Sequence, residues 1–252
     1  QHAQYARLQS LAQELAKLAG AKWGFLGTAA NSLGGYLAGC LPNSEKGLPA
    51  SGMLASPRKA YVLLNVEPEF DCHNPAVAVS ALRGAEAVIA LSTFRSQVDQ
   101  YAQVVLPIAP FTETAGSFVN MEGRMQSFNA VVKPLGDARP AWKVLRVLGE
   151  QVGATNVAYD SSEAVRDSQC KSADVAAKLD NGIKGVALTA GPASAPELER
   201  VADVLIYGAD PIVRRAESLQ ATRDAREPLA RMHPVTAGKL KLNEGEIVRA
   251  HV

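Results

Sequence analysis

Three short apolar runs rich in β-branched residues, at 61–66 (YVLLNV), 87–91 (AVIAL) and 104–106 (VVL), recur between stretches of helical character. Runs this short and this apolar read as buried strands rather than as pieces of an exposed helix. Between the first two, Pro75 directly follows Asn74. Asn caps helix N-termini well, and Pro suits a first helical position, where its missing N–H costs no bond, so the pair predicts a helix over 75–82. A shorter helix is expected over 97–103. The resulting order, β-α-β-α-β, calls for an α/β fold: a doubly wound, mostly parallel sheet with helices on both faces. Ligands of such sheets settle beyond the carboxyl ends of the strands, so 65–68, 92–94 and 107–114 are expected to line one crevice.

Other segments follow by the same reasoning. Leu8, Leu11, Leu15 and Leu18 recur at helical spacing and predict a first helix ending at Gly20. Residues 23–26 form a strand candidate. Gly27, Gly34, Gly35 and Gly39 come after it, but neither a G-x-G-x-x-G sequence nor a Lys-Ser/Thr phosphate loop is present, so close packing is the expected reason for the glycines. The Pro-, Gly- and Ser-rich 41–57 reads as a surface crossing. Further on, helices are expected at 142–148, with Trp142 as a core anchor, and at 162–170 and 173–179. Strands are expected at 186–189 and 201–207. A short helix at 236–240 and a turn at 243–245 lead into a strand-like run at 246–252.

With 26 basic and 25 acidic residues the formal charge is +1, which leaves no excess to neutralise phosphates, and nucleic acid is not an expected partner. No apolar run reaches the roughly 18 residues of a membrane helix, so direct membrane insertion is not expected either. Cys40, Cys72 and Cys170 are odd in number and far apart, and His2, His73, His233 and His251 are equally scattered, which predicts free thiols and no metal site. The arginines 214, 215, 223, 226 and 231 alternate with acidic residues and read as a solvated or subunit-contact face. The start at Gln1 and the strand-like end predict a piece of a longer polypeptide.

The strongest motif follows the third strand. Pro107 stops it, a polar loop follows, and 117–119 and 124–128 flank Asn120-Met121-Glu122-Gly123, a composition that predicts a tight hairpin turn. Leu106-Pro107, Glu113, Gly116-Ser117, Asn120, Glu122-Gly123-Arg124 and Gln126 resemble the L-P…E…G-[ST]…N…E-G-R…Q signature of the molybdopterin oxidoreductase superfamily. Phe128, Pro134, Gly136 and 138–143 (ARPAWK), together with 29–39 (AANSLGGYLAG), resemble most the large G-subunit branch of bacterial NADH:quinone oxidoreductase, respiratory complex I. Residues 231–248 are similar to the opening of the superfamily's C-terminal β-barrel domain.

The resemblance implies three segments: an α/β domain over 1–152, a helix-rich connector over 153–205, and the start of a truncated barrel over 206–252. It implies a noncatalytic structural portion of a complex I subunit, with other peripheral-arm subunits as partners, in the cytoplasm against the plasma membrane. No cofactor is expected in this chain; the iron–sulfur clusters belong to a more N-terminal part of the parent. A molybdopterin is implied only under the alternative, a fragment of an active enzyme such as a formate dehydrogenase. The context of Cys40 does not match the family's molybdenum ligand. Glu113, Gly116, Ser117, Asn120, Glu122, Arg124 and Gln126 are the implied site, read as a fold-defining hairpin and the wall of a vestigial crevice. Glu122 and Arg124 are expected either to pair or to bond to the backbone, so that Arg124→Ala destabilises the loop.

Overall fold

The three apolar runs form one parallel sheet, β1 (Ala60–Leu64), β2 (Ala87–Ser92) and β3 (Val104–Pro107), in the order β1-β2-β3. The computed structural model describes residues 5–27, 29–42, 47–95, 97–169, 205–225 and 229–248, with Val175 and Leu198. It divides into two compact units, Gln1–Ala202 and Asp203–Val252.

In the first unit, α1 (Tyr5–Ala19) carries the leucine repeat and stops before Gly20. α2 (Ser32–Leu37) and α3 (Ala50–Ala55) precede the sheet, while α4 (Pro68–Asp71) and α5 (Pro75–Arg83) connect β1 to β2. Asn74 caps α5 as the sequence predicts, its Oδ1 accepting the Val77 N–H at 3.1 Å. α5 then presents Ala78, Ala81 and Leu82 inward, and Leu82 is 1% exposed. Together with Tyr61, Val88, Ala90, Val98 and Tyr101 it makes the core.

Register places that core on one face of the sheet. Tyr61 stands beside Val88, and Leu63 beside Ala90 and Val105. The other face carries the row Val62, Ile89, Val104, and there Val62 is 59% exposed. The predicted helix at 97–103 is only a 3-10 turn, Gln97–Gln100, because Val98 and Tyr101 dive into the core within one turn. Gln103 then braces the start of β2, its Oε1 accepting the Val88 N–H at 2.6 Å.

Three expectations need correction. The stretch 41–57 is not all surface crossing, since it holds α3. Tyr61 is the reason: its hydroxyl donates to Met53 O at 3.0 Å and accepts the Arg58 N–H at 2.8 Å, drawing Met53 and Leu54 onto the core. Residues 23–26 are not a strand, because they ladder with no neighbour among the described residues, and Leu26 faces solvent. The third concerns 201–207. Residues 201–204 lie outside the described set, and Ile206–Gly208 is an exposed 3-10 turn closed by Gly208 N–H to Leu205 O. The helix expected at 173–179 and the strand at 186–189 also fall outside it, apart from Val175.

After the sheet come a hairpin, then α6 (Ala141–Gln151) and α7 (Ser162–Gln169). In the second unit, Arg214 and Arg215 bond to the backbone oxygens of Gly208 and Pro211, and Gln220, in α8 (Glu217–Gln220), reaches those of Tyr207 and Val213. The short C-terminal helix is α9 (Pro234–Leu240), begun by His233 Nδ1 accepting the Val235 N–H. The 243–245 turn forms as expected, and Glu246 bonds to the backbone and side chain of Asn243. Residues 246–248, the described part of the final run, are not in a strand. Among the described residues no helix is long and apolar enough to cross a membrane.

Candidate functional site

The hairpin comprises β4 (Gly116–Val119) and β5 (Met125–Phe128), antiparallel, with Ser117 opposite Ser127 and Phe118 opposite Gln126. Its turn is built by Asn120. The side-chain Oδ1 accepts the N–H groups of Glu122 at 3.1 Å and Arg124 at 2.9 Å, and the backbone oxygen accepts that of Gly123, whose φ is +80°. Gly116 is required by packing. A Cβ there would lie 2.6 Å from the Phe128 ring, which meets Phe118 edge to face at 5.4 Å.

The remaining signature residues divide into clasps and surface. Glu113 accepts the Leu135 N–H at 3.0 Å, while Thr112 O accepts that of Val131, so the loop before the hairpin is tied to the chain after it. The chain then returns to β3, with Ala109 N–H on Arg139 O, and this return sets the start of α6 and the place of Trp142. Glu122 and Arg124 do not pair with one another, since the turn keeps Glu122 near the Asn120 amide and leaves Arg124 exposed. Gln126 is exposed too.

Asn31 is the residue that sequence reasoning missed. Its Nδ2 donates to Ser117 O at 3.2 Å and its Oδ1 accepts the Val119 N–H at 2.9 Å, so one amide side chain does for β4 what a neighbouring strand would do. Asn31 sits at the N-cap of α2 yet makes no capping bond there. Gly34 makes this possible, because a Cβ at that position would collide with the Asn31 side chain. The signal was present in 29–39, an Asn followed three residues later by Gly, but close packing accounted for the glycines there.

A cavity of about 340 Å³ lies between α2, the hairpin, α6 and α7. Of the seven predicted site residues only Gly116 and Ser117 line it, together with Asn31, Cys40, Trp142 and Arg166 among others. None of 65–68 or 92–94 does; those two loops bond to each other through Thr93 and Asn65 at 3.3 Å. Ser117 Oγ and Ser127 Oγ are 2.8 Å apart, and Arg166 Nη1 donates to Ser127 at 3.2 Å. Glu163, also on the wall, is fully exposed, and its own backbone N–H, followed by the hydroxyls of Ser162 and Ser161, holds its carboxyl below the usual carboxylate range.

A second group lies behind β1. The Tyr101 hydroxyl donates to Glu69 at 3.1 Å; burial pushes the phenol well up, and the Glu69 carboxylate pushes it further. Burial likewise raises the Cys72 thiol, with Asp71 and Glu69 adding to it, which disfavours the thiolate. No three His, Cys, Asp or Glu side chains converge as metal ligands among the described residues.

The order and contents of these elements match a known family: residues 1–151 fit the molybdopterin oxidoreductase family model. The chain belongs to that family. It is 28% identical over 215 residues to the G subunit of the NADH-quinone oxidoreductase of Mycobacterium bovis, a match that covers 80% of this chain and 25% of the relative. It is 44% identical over 68 residues, 27% of this chain and 9% of the relative, to the 78 kDa subunit of the mitochondrial NADH-ubiquinone oxidoreductase of Neurospora crassa. A protein that bears the name formate dehydrogenase in Staphylococcus haemolyticus is 36% identical over 75 residues, 30% of this chain and 8% of that one. The chain thus spans a quarter or less of the length of these relatives.

The family's cofactor is a poor match for the residues gathered at the hairpin. A pterin–guanine nucleotide carries phosphates that need cations or amides. Among the described residues the lining offers one cation, Arg166, already paired with Asp167 at 2.8 Å and standing near the Glu163 carboxylate. These residues do not fit that group.

Proposed function

We propose that this chain is a structural portion of an NADH-quinone oxidoreductase subunit, a framework that supports an electron-transfer arm without holding the reacting groups. The observation that carries the reading is continuity: the similarity to a G subunit of that enzyme runs through 80% of the chain, across both the sheet and the hairpin. Glu113, Asn120 and Glu122 then act as turn and clasp residues, Gly116 and Ser117 as crevice wall, and Arg124 and Gln126 as surface. The partners are the neighbouring subunits of the peripheral arm, the place is the cytoplasmic side of the plasma membrane, and the iron–sulfur clusters lie elsewhere in the parent.

The same reading completes the fold. Val62 and Val104, exposed on the second face of the sheet, favour further helices there, giving a doubly wound sheet, since parallel sheets are covered on both sides. Residues 206–252 open a C-terminal barrel. The alternative, a piece of an active molybdopterin enzyme, draws on the shorter match to the protein named formate dehydrogenase.

One experiment separates the two. The native polypeptide containing this chain is affinity-purified from membranes and assayed for NADH-driven quinone reduction, for molybdenum and for pterin fluorescence. Co-purification with the NADH-oxidising activity, without molybdenum, is expected; stoichiometric molybdenum with pterin overturns the structural reading.

A further inference from the structure

The cavity between the hairpin and α7 has a chemistry of its own, which goes beyond a framework role. Its volume, about 340 Å³, lies at the lower end of the range of small-molecule sites, about 300–1,000 Å³, and suits one or two rings rather than a dinucleotide. Its apolar walls come from Val119, Met125, Phe128, Trp142 and Val165. The polar side brings hydroxyl donors, with the Glu163 carboxylate on the exposed rim. Ser127 Oγ accepts from Arg166 and shares one proton with Ser117, so whichever serine donates within the pair, the other O–H is left over for a guest. Trp142 has no acceptor for its indole N–H among the described residues.

Charge narrows the class. Arg166, the cation among the described lining residues, is matched by Asp167, and Glu163 stands ionised on the rim, so the wall itself offers an anion no unpaired cation. A cation would find its one carboxylate, Glu163, out on the exposed rim where water screens it, and the serine hydroxyls inside. We infer that the cavity is a binding site for a small uncharged aromatic molecule bearing carbonyl acceptors, an aromatic carboxamide or lactam. The carbonyl is received by the free serine hydroxyl and the Trp142 N–H, and the ring lies among Phe128, Met125 and Val165. The site joins the hairpin to α7, which lies beyond the residues matched by the family.

The full chain is titrated with benzamide, with benzoate and benzylamine as charged counterparts of similar shape, following tryptophan fluorescence and calorimetry. Saturable binding of benzamide is expected, with both charged probes about tenfold weaker or more. Ser117→Ala with Ser127→Ala should weaken benzamide about tenfold. Gly35→Leu supplies the independent check. Gly35 lines the cavity and an added Cβ there meets nothing within 4 Å, so the variant folds but fills the space, and benzamide binding should disappear while the melting temperature holds. No saturable binding, equal binding of benzoate or benzylamine, or binding untouched by Gly35→Leu would each overturn the assignment.

Discussion

The three-stranded sheet and the hairpin are held by different physics. The sheet rests on Leu82, Val88, Ala90 and Tyr61, side chains removed from water against α5, and its stability grows with apolar area. In the hairpin a single residue, Val119, is fully buried, and the shape comes from directed bonds of two amides, Asn120 within the turn and Asn31 along the edge. A core of the first kind tolerates apolar side chains of about the right size. The second kind fails when one atom changes, because a half-buried N–H or C=O loses its partner.

The largest expected effect lies in the sheet. Leu82→Ala should lower the unfolding free energy by about 2–5 kcal/mol, read from chemical denaturation by circular dichroism. Asn31→Ala comes next, at about 1–3 kcal/mol, because the Ser117 carbonyl and the Val119 N–H both lose partners. Here the loss should be local: hydrogen exchange at Val119 accelerates while Val88 in β2 keeps its protection. If Val88 accelerates equally, the two regions form one cooperative unit and the contrast between them collapses.

Alkaline pH tests the sheet side alone. The Tyr101 phenol is raised above its ordinary value of 10.0, so the folded chain holds its proton more tightly than the unfolded chain does. Its contribution is fully present below pH 10 and is lost as the pH climbs above it, at up to about 1.4 kcal/mol per pH unit. Tyr101→Phe should flatten the dependence between pH 10 and 11 in denaturation curves. The smallest effect is expected at Arg124. Exposed and without an ion pair to Glu122, it should tolerate Ala with a change within about 0.5 kcal/mol in the same assay; a larger loss would show that the hairpin depends on charge as well as amides.

The same contrast explains what the sequence made legible. Strands, helix α5 with its Asn74 cap, and the hairpin with its Gly123 turn follow from periodicity and turn chemistry, which act over a few neighbouring residues. α3 escaped because Gly52 and Pro49 blur its pattern, and what fixes it in place, the hydroxyl of Tyr61 and the packing of Met53 and Leu54 on the core, comes from outside the segment. The site was half legible for a similar reason. Glu113 through Gln126 stand close in sequence, whereas Asn31 and Arg166 join the hairpin from 86 and 39 residues away, a distance over which no local pattern speaks. Of the two arrangements expected for Glu122 and Arg124, a mutual pair or bonds to the backbone, the pair does not form, because Asn120, not charge, organises that turn.

The row Val62, Ile89, Val104 also governs how the isolated chain behaves in a test tube. A plane of branched hydrocarbon wets poorly, and salts that are excluded from protein surfaces, sulfate above all, strengthen the tendency of such planes to meet. Light scattering from the purified chain should therefore climb with protein concentration and with ammonium sulfate, and Val62→Lys should suppress it.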